Sequence, residues 1–402
     1  MRKARYALAV VAPHPIQYMA GLWRTLARHP RIDLRVIYLD RVGLDGAIDP
    51  TMQAAMKWDV PLLDGYEHEF VRNLSSLRFT PIVHRINPGI RARLTASRYD
   101  AVILHGYLTL SNWIALPAAR RRGIKVVYRG EGSMQGGDRH DSPLVNAVKR
   151  PLNRAFLRSC DAIACSSEDN RSYQISRGAP VDRLFSMPCA VDNDQLEIFA
   201  GSARSRRDVL ASWGFPEEAK VALAVGRFTE NKRIGDCIAA LSAEPLRDRM
   251  DVHLAIAGDG PLRRDLEDQV RTAGLEGRVS FFGFLGQRAI AEAMLASDVF
   301  VLGSSHGDPS PKALSEALYL KCPVVCSQGV GTGSELVTPG QNGFVYPTGD
   351  VDALAGFVAD VLADDERRLA MGRHSHEVAR ANDFSTGVES LIVRLDELMG
   401  EA

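Results

Sequence analysis

Short apolar runs separated by amphipathic stretches recur from one end of the chain to the other. In the first half, residues 6–12, 34–39, 101–104, 125–128 and 162–165 are rich in Val, Ile and Leu, the pattern of strands buried on both faces. Between them, segments such as 16–28 and 112–122 carry apolar residues at helical spacing. The second half repeats the alternation, with strands expected at 221–225, 252–257, 279–282, 299–302 and 323–326 and helices at 234–241, 261–272, 286–295, 311–320 and 351–362. Strands alternating with helices of about ten residues predict parallel βαβ units. Two such series predict an α/β protein of two Rossmann-like, doubly wound parallel-sheet domains facing a central cleft. The polar, arginine-rich segment 197–213 is expected to belong to a linker between residues 191 and 220. Asp192-Asn193-Asp194 inside it reads as a turn, not a metal site. In such sheets ligands bind beyond the carboxyl ends of the strands, so the chemistry is sought there.

A length of 402 residues suits two or three domains, and 46% hydrophobic with 24% charged residues excludes a disordered chain. No apolar run approaches the roughly 18 residues of a bilayer span. Arg2 and Lys3 before the apolar run 6–12 imitate a secretory signal, but the run is short, His14-Pro15 interrupts it and no small-residue cleavage site follows. A first buried strand is the reading. Six dispersed cysteines without a Cys-x-x-Cys pair are expected to be reduced, mostly buried thiols of a cytoplasmic protein, with no zinc site.

The formal charge is zero, from 49 Lys+Arg and 49 Asp+Glu, which argues against a nucleic-acid partner. The zero conceals an asymmetry: residues 1–190 carry 28 basic and 16 acidic side chains, and residues 191–402 carry 21 and 33. Arg120-Arg121-Arg122 and the series Lys149, Arg150, Arg154, Arg158 suit an anionic membrane, at the inner face of which the protein would sit, or an acidic or lipid-diphosphate acceptor. Attraction between the two halves and ordinary solubility account for them equally well.

The motifs sit at predicted strand ends. Strand 221–225 runs into Gly226-Arg227, with Lys232 five residues on, in a loop before a helix. Two cations above a helix N-terminus suit a phosphate or diphosphate, although a solvated basic turn is the plain alternative. Gly258-Asp259-Gly260-Pro261 follows the next strand, with Pro261 expected at the first helical position. After strand 299–302, Asp308 precedes Pro311, and the amides of Lys312, Ala313 and Leu314 are expected to be free at a helix start. Lys312 and Glu316 share one helix face, so Glu316 can lean back over those amides or simply pair with Lys312.

Taken together, Gly226-Arg227 with Lys232, Gly258-Asp-Gly-Pro261, Phe282-Gly283, Asp308 with Glu316, Cys322-Pro-Val-Val and Asn342-Gly343-Phe resemble the C-terminal domain of a retaining glycosyltransferase of family 4. The first half fits as well, through the His105-Gly106 strand end, Cys165-Ser166-Ser167 and the run from Met187 to Asp192. The resemblance covers essentially the whole chain. It implies the GT-B architecture: residues 1–192 an acceptor-binding domain, 193–384 a nucleotide-sugar donor-binding domain, and 385–402 a last helix crossing back to the first.

By resemblance, Arg227 and Lys232 hold the donor diphosphate and stabilise the leaving group, with no metal or other cofactor required. Glu316 takes the ribose hydroxyls, and Lys312, Ala313 and Leu314 supply amides to phosphate. Gly226, Gly258 and Asp259 line the donor site, and the backbone near Phe284 and Leu285 meets the base of a UDP- or GDP-sugar. Asp308 stands where the family usually has a donor-sugar-contacting glutamate. His105 lies near the donor sugar, and His14, Gln17, Tyr18, Arg129 and Glu131 are candidates for contact with a glycan, lipid-linked or small-molecule acceptor. A buried Arg129–Glu131 ion pair is the structural alternative. The implied reaction is transfer of a hexose-like sugar with retention. An epimerase or hydrolase on the same scaffold, and a non-catalytic nucleotide-sugar-binding module, remain open. A dinucleotide dehydrogenase is disfavoured because neither half has a Gly-x-Gly-x-x-Gly after its first strand.

Overall fold

The computed structural model describes residues 4–44, 48–49, 54–55, 60–75, 84–134, 143–306 and 308–401; Arg2 and Lys3 of the signal-like start lie outside them. The chain divides into two compact units, one of Met1–Asp49, Ala55–Cys189 and Asp383–Ala402, the other of Pro50–Ala54 and Ala190–Asn382.

The main sheet of unit 1 has, among the described residues, seven strands: β1 (Tyr6–Ala12), β2 (Ile32–Tyr38), β3 (Glu67–Phe70), β4 (Ala101–His105), β5 (Lys125–Arg129), β6 (Ala162–Cys165) and β7 (Leu184–Ser186). Their order is β3-β2-β1-β4-β5-β6-β7. The strands pair in parallel, with Val10 opposite Val36 on one side and Ile103 on the other. Unit 2 has six: β8 (Lys220–Val225), β9 (Val252–Ala257), β10 (Val279–Phe281), β11 (Val299–Leu302), β12 (Val324–Ser327) and β13 (Gly343–Tyr346). Their order is β10-β9-β8-β11-β12-β13. Each sheet therefore winds outward from its first strand in both directions, and its switch point lies between its first and fourth strands. Central strands are buried on both faces, which is why β1, β4, β9 and β11 read as continuous apolar runs.

Three expectations change. Segment 197–213 is not a linker. It forms parts of two helices, Asn193–Gly201 and Arg206–Trp213, capped by Asp192 and Ser205, whose side chains accept from the amides of Gln195 and Asp208. Leu196, Phe199, Val209 and Leu210 are buried; Arg204 pairs with Glu292 at the surface, and Arg206 reaches inward to the buried Asp298. Asp192 is thus a helix cap. Pro261 precedes a helix that starts only at Arg263, and Pro311 is a cap with extended backbone, not the first helical residue.

The helix Phe384–Met399 belongs to unit 1. Its Asp396 is buried and accepts from the Tyr6 hydroxyl at 2.6 Å and from Arg31 on both oxygens, at 2.6 and 2.9 Å. That assignment moves five acids into the basic half, so unit 1 holds 29 basic and 21 acidic residues and unit 2 holds 20 and 28. The charge asymmetry survives at two thirds of its apparent size. All six cysteines are buried thiols, outside any disulfide.

Candidate functional site

At the switch point of unit 2, the loops after β8 and β11 are sewn together. The Ser305 amide donates to the Asn231 carbonyl at 2.7 Å, and Asn231 Nδ2 donates to the His306 carbonyl at 3.2 Å. This brings Lys232 Nζ to 2.5 Å from Asp308 Oδ2, which also accepts from Ser304 Oγ at 2.6 Å. The pair is largely shielded: Asp308 is 8% exposed. Lys232, expected as a cation facing ligand, is held by a carboxylate. Arg227, from the same loop, is exposed.

The glycines here are steric requirements. Gly258 has φ +145°, and a Cβ on it would lie 1.9 Å from the Gly226 carbonyl oxygen. The Gly258 amide donates to the Gly283 carbonyl at 2.7 Å, so the ends of β8, β9 and β10 converge on one backbone crossing. Asp259 closes that turn, accepting from the Gly260 amide at 2.8 Å and pairing with Arg263 at 3.3 Å. Phe284 follows Gly283 with half its surface open to solvent, next to the partly buried Leu285.

The helix Lys312–Tyr319 follows β11, Asp308 and Pro311 in the chain. Its first turn is tighter than expected: the Leu314 amide donates to the Pro311 carbonyl at 3.1 Å, and its side chain is fully buried. Leu314 is therefore not a free donor. Glu316 retains some solvent contact, yet desolvation pushes its pKa up to about 7 against the opposing pull of Lys312.

Unit 1 gathers a different set at its own switch point. Asn112 Nδ2 grips the carbonyls of His105 and Gly106 at 2.9 and 2.7 Å, fixing the end of β4. His105 Nδ1 and Gln17 Oε1 are buried with no hydrogen-bond partner. Burial lowers the His105 pKa, with Glu131 opposing and Arg129 assisting. His14 lies against Arg85 Nη2 at 3.2 Å, and burial followed by that guanidinium brings its pKa down to about 4. Both rings are neutral near pH 7.

Glu131 is presented by its neighbours. A Cβ on Gly130 would fall 2.2 Å from the Tyr128 hydroxyl, and one on Gly132 would fall 2.2 Å from the Tyr173 ring. Asn170 Nδ2 donates to both glycine carbonyls, at 2.9 and 2.6 Å. The carboxylate so placed accepts from the Tyr18 hydroxyl and, at 3.5 Å, from Cys189 Sγ. Burial and the nearby Glu131 charge raise the Tyr18 pKa, keeping it a donor. Arg129 is 1% exposed, and its Nη1 donates to the Met187 carbonyl at 2.8 Å. It supports the β5 end from within. Ser304, Asn231, Arg85, Asn112, Asn170 and Cys189 escaped the sequence reading; each acts through the backbone or a neighbour, and only Asn112 and Asn170, polar residues in the first turn after a strand, carried a signal.

Two Rossmann-like units, each with polar residues at its switch point, define the architecture of GT-B proteins. HepE from Anabaena, solved in complex with UDP, is similar to this chain with a TM-score of 0.74 at 19% identity, over 98% of this chain and 100% of that one. The model of "Glycosyl transferases group 1" matches residues 205–378, and that of "Glycosyl transferase 4-like domain" matches residues 17–190. A glycosyltransferase of Methanocaldococcus jannaschii is 34% identical over 274 residues, 67% of this chain and 68% of its own length. The lipopolysaccharide core biosynthesis glycosyltransferase LpsE of Rhizobium meliloti is 26% identical over 227 residues, 56% of this chain and 61% of its own length. The chain belongs to the family 4 type of GT-B glycosyltransferases.

Proposed function

We propose that the protein transfers a hexose-like sugar from a nucleoside diphosphate to an acceptor hydroxyl in glycan biosynthesis, with retention at the anomeric carbon and without a metal. The observation that carries the reading is the Lys232–Asp308 pair at the unit 2 switch point, with the exposed Arg227 five residues before Lys232 and Glu316 eight after Asp308. A half-buried ammonium resting on a carboxylate is poised to exchange that partner for a diphosphate. Arg227 and Lys232 would then balance the negative charge that grows as the glycosidic bond breaks. Released from Lys232, Asp308 would accept hydrogen bonds from sugar hydroxyls, and Glu316 from the ribose. HepE, a structural neighbour, binds UDP, which supports a UDP-sugar as the first donor to try.

In this reading unit 1 takes the acceptor. Gln17 Oε1 and His105 Nδ1, left without partners, suit the hydroxyls of a glycan or glycan-like acceptor, and the Glu131 carboxylate, held by Tyr18 and Cys189, adds a further acceptor of hydrogen bonds. The protein works in the cytoplasm and touches an anionic membrane peripherally; among the described residues no helix is long and apolar enough to cross one.

The test is a panel of UDP- and GDP-sugars with hydroxylated acceptors, following donor loss and product anomeric configuration by NMR. Product formation with retained configuration is expected. Donor consumption equally fast without any acceptor would replace transfer by hydrolysis or epimerisation, and retention of near-normal rates in Arg227→Ala and Lys232→Ala would remove the leaving-group assignment.

A further inference from the structure

Among the described residues, two that are not glycine adopt a positive φ: Lys321 at 65° and Arg233 at 50°. A side chain crowds the backbone in that region, so an ordinary residue takes it on the order of tenfold less readily than glycine does. Lys321 has a common reason to be there. It lies just past the helix Lys312–Tyr319, where its amide donates to the Leu318 carbonyl at 3.1 Å and the Cys322 amide to that of Ala317 at 2.9 Å, a helix end that left-handed residues usually close. Arg233 lies instead between the single turn Glu230–Lys232 and the helix Ile234–Ser242, immediately after Lys232. The strain thus falls on the residue next to a cation of the proposed site.

Three loops surround the Arg233 side chain and backbone. Its Nε and Nη2 donate to the two carboxylate oxygens of Asp236 at 2.6 and 3.0 Å, the paired geometry that a guanidinium fork favours. The Asp236 amide returns a hydrogen bond to the Arg233 carbonyl at 3.0 Å. The same guanidinium lies over Gly349 in the loop after β13, where a Cβ would come 3.0 Å from Nη2. On the other side, a Cβ on Gly303, the first residue after β11, would come 3.2 Å from the Arg233 carbonyl oxygen. The ends of β8, β11 and β13 therefore meet at this one residue. Its chain neighbours already belong to the switch point: Lys232 rests on Asp308, and Asn231 is sewn to Ser305 and His306.

The side chain that makes this backbone costly is also the one that secures it. We propose that Arg233 is a positioning residue for the nucleotide site: its left-handed backbone sets the direction in which Lys232 leaves the loop, and its ion pair with Asp236 holds the backbone there. The guanidinium is engaged with Asp236, so it acts through Lys232 and not on the diphosphate itself. Without the pair, residue 233 relaxes toward negative φ and turns Lys232 away from Asp308. Only a fraction of the molecules is then ready to bind, and the apparent affinity falls by that fraction. The proposal rests on the reading that the unit 2 switch point takes a nucleoside diphosphate.

Isothermal titration of UDP and of GDP into the full chain and three variants at residue 233, each first shown by thermal melting to unfold cooperatively, tests the proposal. Whichever nucleotide the wild type binds, Arg233→Ala should bind it about tenfold more weakly. Arg233→Lys, which keeps the charge but not the fork, should lose at least about fivefold. Arg233→Gly should stay within about threefold of the wild type, because glycine takes either sign of φ without a partner. Asp236→Asn probes the pair without touching residue 233: it should weaken binding about fivefold in the wild-type chain and less than about twofold in the Arg233→Gly chain. In turnover, the Arg233→Ala deficit should fall on the donor KM with kcat within about twofold, since saturating donor gathers the competent molecules, whereas a loss of folded protein would lower kcat alone. Equal weakening in the alanine and glycine variants, or unchanged binding in all of them, would overturn the inference and leave the donor site standing. A lysine variant that outperforms glycine would overturn it by placing the charge on the nucleotide. Wild type that binds neither nucleotide would remove the donor-site reading and the inference together.

Discussion

The two switch points are built in opposite ways. In unit 2 the groups at the strand ends are charged and engaged, with Lys232 on Asp308, Asp259 on Arg263, and a backbone crossing at Gly258 that admits no side chain. In unit 1 two neutral rings and two amides stand with one presented carboxylate and the guanidinium groups of Arg85 and Arg129, and several buried polar atoms, Gln17 Oε1, His105 Nδ1 and Asn112 Oδ1 among them, lack partners. A preassembled ionic site matches a ligand that carries its own charge, such as a diphosphate. A partly unsatisfied site rich in hydrogen-bonding groups matches a ligand with many hydroxyls. The contrast runs against the overall charge of the units, since the acidic unit holds the cationic site.

The sharpest way to break the contrast is to remove the cations. Arg227→Ala or Lys232→Ala should lower turnover by about a hundred- to a thousandfold, as measured by steady-state kinetics; calorimetry should show the unfolding temperature preserved in Arg227→Ala and lowered in Lys232→Ala, which leaves the shielded Asp308 carboxylate without its cation. Next in size is the backbone crossing. Gly258→Ala places a Cβ into the Gly226 carbonyl at a positive φ, and denaturant unfolding should show unit 2 destabilised by about 3 kcal/mol or more. Unit 1 answers to a milder change: Glu131→Gln should raise the acceptor KM by roughly tenfold, the scale of one charge-assisted hydrogen bond, and leave the affinity for donor within about twofold.

The smallest effect is one of pH. Glu316, with a pKa near 7, must ionise to accept fully from ribose, so donor affinity should rise by up to about tenfold between pH 6 and pH 8. Stability moves the other way: a carboxyl whose pKa is raised on folding contributes fully below its unfolded value near 4.5 and loses that contribution as pH climbs through 7. His14, already neutral above about pH 5, predicts an acceptor KM that is flat across the same range. A steep acceptor profile there would place a titrating group in unit 1 and erase the difference between the two sites.

The central strands were legible because burial on both faces leaves no room for polar residues; residues 6–12, 162–165, 252–257 and 299–302 are strands to the residue. Edge strands β3 and β7 are half exposed and mixed in character, and the sequence did not mark them. Helix Pro143–Ser159 was hidden by Pro151 in its middle, and the helices of 193–213 by their arginines, although Asp192 and Ser205 were readable as caps. Motif order was enough to nominate Arg227, Lys232, Asp308 and Glu316, because each follows a strand at a fixed distance. That Lys232 rests on Asp308 was not legible, since residues 76 apart meet only through the β8–β11 adjacency. The pairing of Tyr18 with Glu131 is hidden for the same reason, and so is the role of Arg129, which sequence alone offers equally as ligand contact or support.

The central claim is that the unit 2 switch point holds a nucleoside diphosphate. Isothermal titration of UDP and of GDP into the wild type, Arg227→Ala and Lys232→Ala tests it directly. One of the two nucleotides should bind with one-to-one stoichiometry, and each substitution should weaken that binding by at least about tenfold, the loss of one hydrogen bond to a charged group. Absence of binding by both nucleotides, or binding that neither substitution alters, would contradict the account.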